Sequence, residues 1–146
     1  MAGARVAAIM GGVALLGVVP FVLMSLSSDI EGQLEARGER FGSFTFEPDR
    51  CRSGQTLGFF GVELGSSADE ERRIRLIRDS VEGSMVAYER AGQSEPPTVL
   101  RPQDCRTLQV EVIRTNNRVN SVYVVKGSAT IDCDELSGTI IFDGCS

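Results

Sequence analysis

The chain predicts an all-β fold: a small antiparallel β-sandwich of about eight or nine short strands, with a small barrel as the alternative, preceded by one N-terminal transmembrane helix. Three observations carry this expectation. From residue 41 onward, short runs rich in Val, Ile, Thr, Phe and Tyr are separated by Gly, Pro, Asn and Asp, with no sustained helical period. Near the N-terminus, an apolar run that opens at Val6 and closes at Leu26 holds no charged residue. All four cysteines, Cys51, Cys105, Cys133 and Cys145, lie after that run, as expected for an exported, disulfide-bonded domain.

The apolar run comes first. As a helix it is roughly 31 Å long against a hydrocarbon core of about 30 Å, so it suits a membrane span or a long signal peptide. A cleavable signal has a shorter apolar core, so an uncleaved anchor is favoured, although Ser25-Leu26-Ser27 resembles a cleavage site. Arg5 precedes the run, which favours a cytoplasmic N-terminus and an extracytoplasmic body. The chain then divides into 1–28, the anchor or signal peptide, 29–40, a polar stalk, and 41–146, the β domain. The part after the run carries all 20 acids and 14 of the 15 basic residues, a formal charge of −6. An acidic body argues against nucleic acid, whose affinity comes largely from Lys and Arg on phosphates. The dominance of Arg over a single lysine, Lys126, points to a GC-rich bacterial genome.

Strands are expected at 41–46, 56–64, 73–78, 84–90, 97–101, 107–115, 118–125, 128–133 and 137–143, each bounded by turn residues. Segment 67–81 also carries helix signals, with Ser67 three residues before Glu70 and acids ahead of arginines. The alternation of Arg73 and Arg75 with Ile74 and Leu76 favours a strand from 73. Its arginines, Arg72, Arg73, Arg75 and Arg78, form the one basic cluster. They read as a solvated face balanced by Asp69, Glu70 and Glu71, with an anionic-ligand patch as the functional alternative. Asn116-Asn117 reads as a hairpin turn because Asn tolerates positive φ, which would set Val110 against Tyr123 and Leu108 against Val125. Phe44, Phe46, Phe59, Val62, Leu64, Val86 and Ile131 are expected to complete the core.

At the C-terminus, a turn over 134–137 would oppose Cys133 to Gly138, Ile131 to Ile140 and Ala129 to Phe142. Cys133 and Cys145 would then stand roughly 20 Å apart, beyond disulfide reach. With 41–46 antiparallel to the last strand, the expected bridges are Cys51–Cys133 and Cys105–Cys145. A parallel pairing would favour Cys51 with Cys145 instead.

The chain has no histidine, which removes Ser-His-Asp, Cys-His and His-ligated metal chemistry. Carboxylates remain. Asp132 and Asp143 are the candidate acid/base pair, and Asp132, Asp134 and Glu135 offer hard oxygen ligands for calcium, though without a DxDxDG pattern. No catalytic residue, metal or cofactor is expected. The functional expectation is a membrane-tethered extracytoplasmic binding or structural module of a bacterial envelope, without catalytic activity. Its partners would be the lipid bilayer, through the run from Val6 to Leu26, and an envelope protein or glycan. The alternatives are a carboxylate hydrolase acting on envelope glycans and a calcium-stabilised adhesion or assembly module.

Overall fold

The computed structural model describes residues 28–146, so the expected span and its retention or cleavage lie outside the described residues. Among the described residues no helix is long and apolar enough to cross a membrane. They form ten strands: β1 (Asp29–Ala36), β2 (Phe44–Phe46), β3 (Arg50–Ser53), β4 (Gly61–Gly65), β5 (Arg72–Asp79), β6 (Gly83–Arg90), β7 (Thr98–Leu100), β8 (Cys105–Val119), β9 (Val122–Cys133) and β10 (Leu136–Cys145). These pair into two antiparallel five-stranded sheets, ordered β2-β1-β10-β9-β8 and β3-β4-β5-β6-β7. The all-β expectation holds, and the strand reading of 73–78 holds over its helical alternative.

Residues 29–40 are not a stalk. Leu34 and Ala36 are buried while Glu31, Gln33 and Glu35 are exposed, a period of two that makes β1 an interior strand between β2 and β10. Gly32 is required where β1 meets β10, because a Cβ there would stand 2.0 Å from the Thr139 carbonyl oxygen.

One core joins the sheets. Leu34, Phe46, Val110, Ala129, Ile131, Ile140 and Phe142 of the first sheet face Val62, Leu64, Ile74, Leu76 and Val86 of the second, all at most 2% exposed. Burying a side chain such as Phe46 or Phe142 contributes about 2 to 3 kcal/mol. Of the expected core, Phe44 and Leu108 only pack at its margin, and Phe59 and Tyr123 are half-buried outside it. Ser84 of β6, itself buried, accepts the Val110 backbone N–H of β8 at 2.9 Å and so ties the edge of one sheet to the other.

Three sequence expectations about pairing need correction. The β8–β9 turn falls at Asn120 and Ser121, both at positive φ (50° and 69°), not at Asn116-Asn117. Residues 115–117 form instead a bulge in β8, where Thr115 Oγ1 donates to the Val124 carbonyl at 2.7 Å. Val110 therefore opposes Ala129 rather than Tyr123, and Leu108 opposes Ile131 rather than Val125. The last hairpin bends at Asp134 and Glu135, so Gly138 opposes Ile131 and Ile140 opposes Ala129. In both hairpins the slip is an even number of residues, which leaves each side chain on its expected face.

The disulfides are Cys51–Cys145 and Cys105–Cys133, not the expected Cys51–Cys133 and Cys105–Cys145. β1 occupies the place beside β10 expected for 41–46, and Cys51 belongs to the other sheet. Cys51–Cys145 is thus a bridge between sheets, with its Cα atoms 5.3 Å apart. The new β8–β9 register brings Cys105 directly opposite Cys133, with Cα atoms 4.1 Å apart.

Candidate anion-binding site

The outer face of the second sheet is built by simple alternation. In β4, Val62 and Leu64 point into the core, so Glu63 and Gly65 face outward. In β5, Ile74 and Leu76 point inward, so Arg73 and Arg75 face outward beside them. In β3, Cys51 turns inward to its disulfide, so Arg50 and Arg52 flank the same face. Three guanidinium groups, of Arg52, Arg73 and Arg75, therefore meet one carboxylate, and Arg50 stands beside them across Gly65.

Glu63 is only 4% exposed, and both of its oxygens are used. Arg52 Nε donates to Oε1 at 3.0 Å, and Arg75 Nε donates to Oε2 at 2.9 Å. Arg75 reaches on to Glu89 at 3.2 Å, which completes its pairing. A carboxylate taken out of water is tolerated only when it is paired and hydrogen-bonded in this way.

Arg50 and Arg73 are held differently. Arg50 Nη2 donates to the Ser66 carbonyl at 3.0 Å, and Arg73 Nη1 donates to the Glu70 carbonyl at 2.7 Å. Their nearest carboxylates stand further off, at 3.6 Å (Asp49) and 3.8 Å (Glu70) from Arg50 and 3.9 Å (Glu63) from Arg73. Backbone carbonyls thus fix both guanidiniums and leave other N–H donors available. Between them lies Gly65. A Cβ placed there would stand 3.9 Å from Arg50 Nε and 4.0 Å from Arg73 Nη1, so the missing side chain opens the floor of a pocket of about 240 Å³. Arg50, Cys51, Arg52, Glu63, Gly65 and Arg73 line it. Fixed guanidiniums facing an open space suit the two oxygens of a carboxylate or phosphate.

Only two of the four clustered arginines seen in the sequence belong to this face. Arg72 turns to the opposite side, where it bonds Asp69 and lies 3.9 Å over the Phe44 ring. Arg78 donates to Ser84 Oγ at 3.2 Å. Arg50, Arg52 and Glu63 were missed in the sequence. Their signal was there in Arg-Cys-Arg and Val-Glu-Leu, where alternation around an inward residue places the charges on one outer face.

The acidic candidates go elsewhere. Arg106 forks onto Asp132 at 2.6 and 3.1 Å and also reaches Asp134 at 3.1 Å, while Glu135 takes Arg40 at 2.9 Å. The hydrogen bond from Arg106 holds the Asp132 carboxyl below the usual carboxylate range. Among the described residues no group of three or more Asp, Glu or Cys side chains is placed to hold a metal ion. Asp132 lies level with Ser137 of β10, six residues before Asp143, so this pair stands roughly 20 Å apart and is not brought together.

No protein-family model, no curated protein and no solved structure matches the chain.

Proposed function

We propose that the chain is a membrane-tethered, extracytoplasmic β-sandwich module of a bacterial envelope that binds an anionic group, a phosphate or carboxylate borne by an envelope glycan or protein, without catalytic turnover. The observation that carries the ligand chemistry is the pair Arg50 and Arg73, fixed by backbone carbonyls on either side of the open space above Gly65. The tether rests on the apolar run from Val6 to Leu26, and the exported location also on the use of every cysteine in a disulfide. Glu63 acts as an organiser: it shares its one charge between Arg52 and Arg75 and spaces the guanidiniums.

The test is nuclear magnetic resonance of the arginine Nε–H groups of the full chain in detergent micelles, titrated with inorganic phosphate and separately with acetate. Arg50 and Arg73 should shift with saturation while Arg106 and Arg101 stay still. Uniform shifts across all arginines, or none, would overturn the site.

A further inference from the structure

We infer that the β8–β9 hairpin tip, with Phe60 beside it, is a second binding surface that rests on the anionic headgroups of the membrane holding residues 6–26; this rests on the reading of those residues as an anchor.

The topology sets the direction. Asp29, where β1 begins, pairs with Asp143 near the end of β10, and Cys145 at that end pairs with Val125. The rest of the hairpin, out to Asn120 and Ser121, projects beyond the sheet on the side where the chain enters from its apolar run. Only Ser27 and Ser28 separate Leu26 from Asp29, a reach of at most about 11 Å. From the level of Asp143 to the hairpin tip is five residues, about 16 Å. The tip therefore extends at least as far as the point where the apolar run can begin. A body tethered this closely keeps its hairpin within reach of the bilayer surface.

The chemistry of the tip fits that surface. Residues 112–131 contain Arg114, Arg118 and Lys126 and no acid, in a body whose formal charge is otherwise negative. Arg114 and Arg118 lie over the Tyr123 ring at 4.6 and 4.0 Å, and Arg114 also approaches the Phe60 ring at 5.9 Å. Phe60 is 39% exposed. Basic groups stacked on half-exposed aromatic rings suit the interface of an anionic bilayer, where the rings meet the headgroup layer and the cations meet phosphates. Of the acids near this end, Asp29 and Asp143 stand behind the tip, and Asp79 shares a depression with Phe60 and Arg78. The preceding turn is braced against the hairpin, since Gln55 Oε1 accepts the Tyr123 backbone N–H at 3.1 Å.

The chain has no tryptophan, so one introduced residue gives a single reporter. Asn117→Trp would be placed in the full chain, reconstituted in vesicles of phosphatidylglycerol and phosphatidylcholine, with Gln93→Trp in the β6–β7 loop as a distant reporter. The proposal expects blue-shifted emission from Asn117→Trp and quenching by lipids brominated near the headgroup. Both should be lost on adding Arg114→Glu and Arg118→Glu, while Gln93→Trp stays water-like. Water-like emission from Asn117→Trp in protein that resists carbonate extraction would overturn the docking and leave the anchor standing. Extraction of the protein by carbonate would overturn the anchor and the docking with it.

Discussion

Ser84 is buried, and its hydroxyl oxygen receives both the Val110 N–H at 2.9 Å and Arg78 Nη1 at 3.2 Å. The first of these satisfies a backbone donor on the edge strand β8, which has no neighbouring strand on that side. Removing the hydroxyl would strand a buried N–H, a loss of about 1 to 3 kcal/mol. Ser84→Ala should therefore lower the denaturant midpoint by that loss divided by an unchanged denaturant slope, whereas Ser80→Ala in the adjacent turn should do little. Glu63 occupies the opposite face of the same sheet and illustrates the complementary rule: its charge is tolerated because two arginines meet it.

At the scale of elements, turn geometry decides what strand pattern leaves open. The β8–β9 turn holds Asn120 and Ser121 in the left-handed region, a conformation that favours Asn followed by Gly. Ser121→Gly should relieve the strain at φ 69° and raise stability by about 0.5 to 1 kcal/mol, read as a shift in the unfolding midpoint. Residue type alone favours a turn at Asn116-Asn117. The sequence contains two Asn-bearing turn signals four residues apart, and only pairing across the whole hairpin decides between them. Alternation is the same for either turn. Val110, Ile131 and Ile140 are buried because an even slip keeps the face. β1 was illegible for a different reason: Glu31 and Glu35 satisfy a helical spacing as well as a strand spacing, and only Leu34 and Ala36 mark the inner face. The arginine site was half visible, since β5 announced itself by alternation while its partners from β3 are about twenty residues away in the chain and meet it only through β4.

For the whole molecule, the two disulfides have different tasks. Cys105–Cys133 closes a separation of 28 residues within one hairpin, and Cys51–Cys145 closes 94 residues between sheets. Loop-closure entropy predicts losses of roughly 3 to 4 and 4 to 5 kcal/mol respectively on removal. The double substitution Cys51→Ala with Cys145→Ala should lower the melting temperature more than Cys105→Ala with Cys133→Ala, measured by calorimetry. Charge is distributed as unevenly as connectivity. The exposed side of the first sheet presents Glu31, Glu35, Glu111 and Asp143, while the second gathers Arg50, Arg52, Arg73 and Arg75 among Glu63, Glu89, Asp49 and Glu70. In the proposed function, these guanidiniums are what an anion meets on a protein whose net charge would otherwise repel it.

Gly65 separates occupancy of the pocket from mere attraction to that face, because it contributes space and no charge. Valine suits a strand and keeps every arginine, but its methyl groups would occupy the volume between Arg50 and Arg73. The decisive measurement is calorimetric titration of inorganic pyrophosphate into the full chain in detergent micelles, for the native protein and for Gly65→Val. The native protein should bind one equivalent, and Gly65→Val should bind at least about tenfold more weakly, a difference near 1.4 kcal/mol, at an unchanged melting temperature. Equal affinity in the two proteins, or no binding to the native one, would contradict the account.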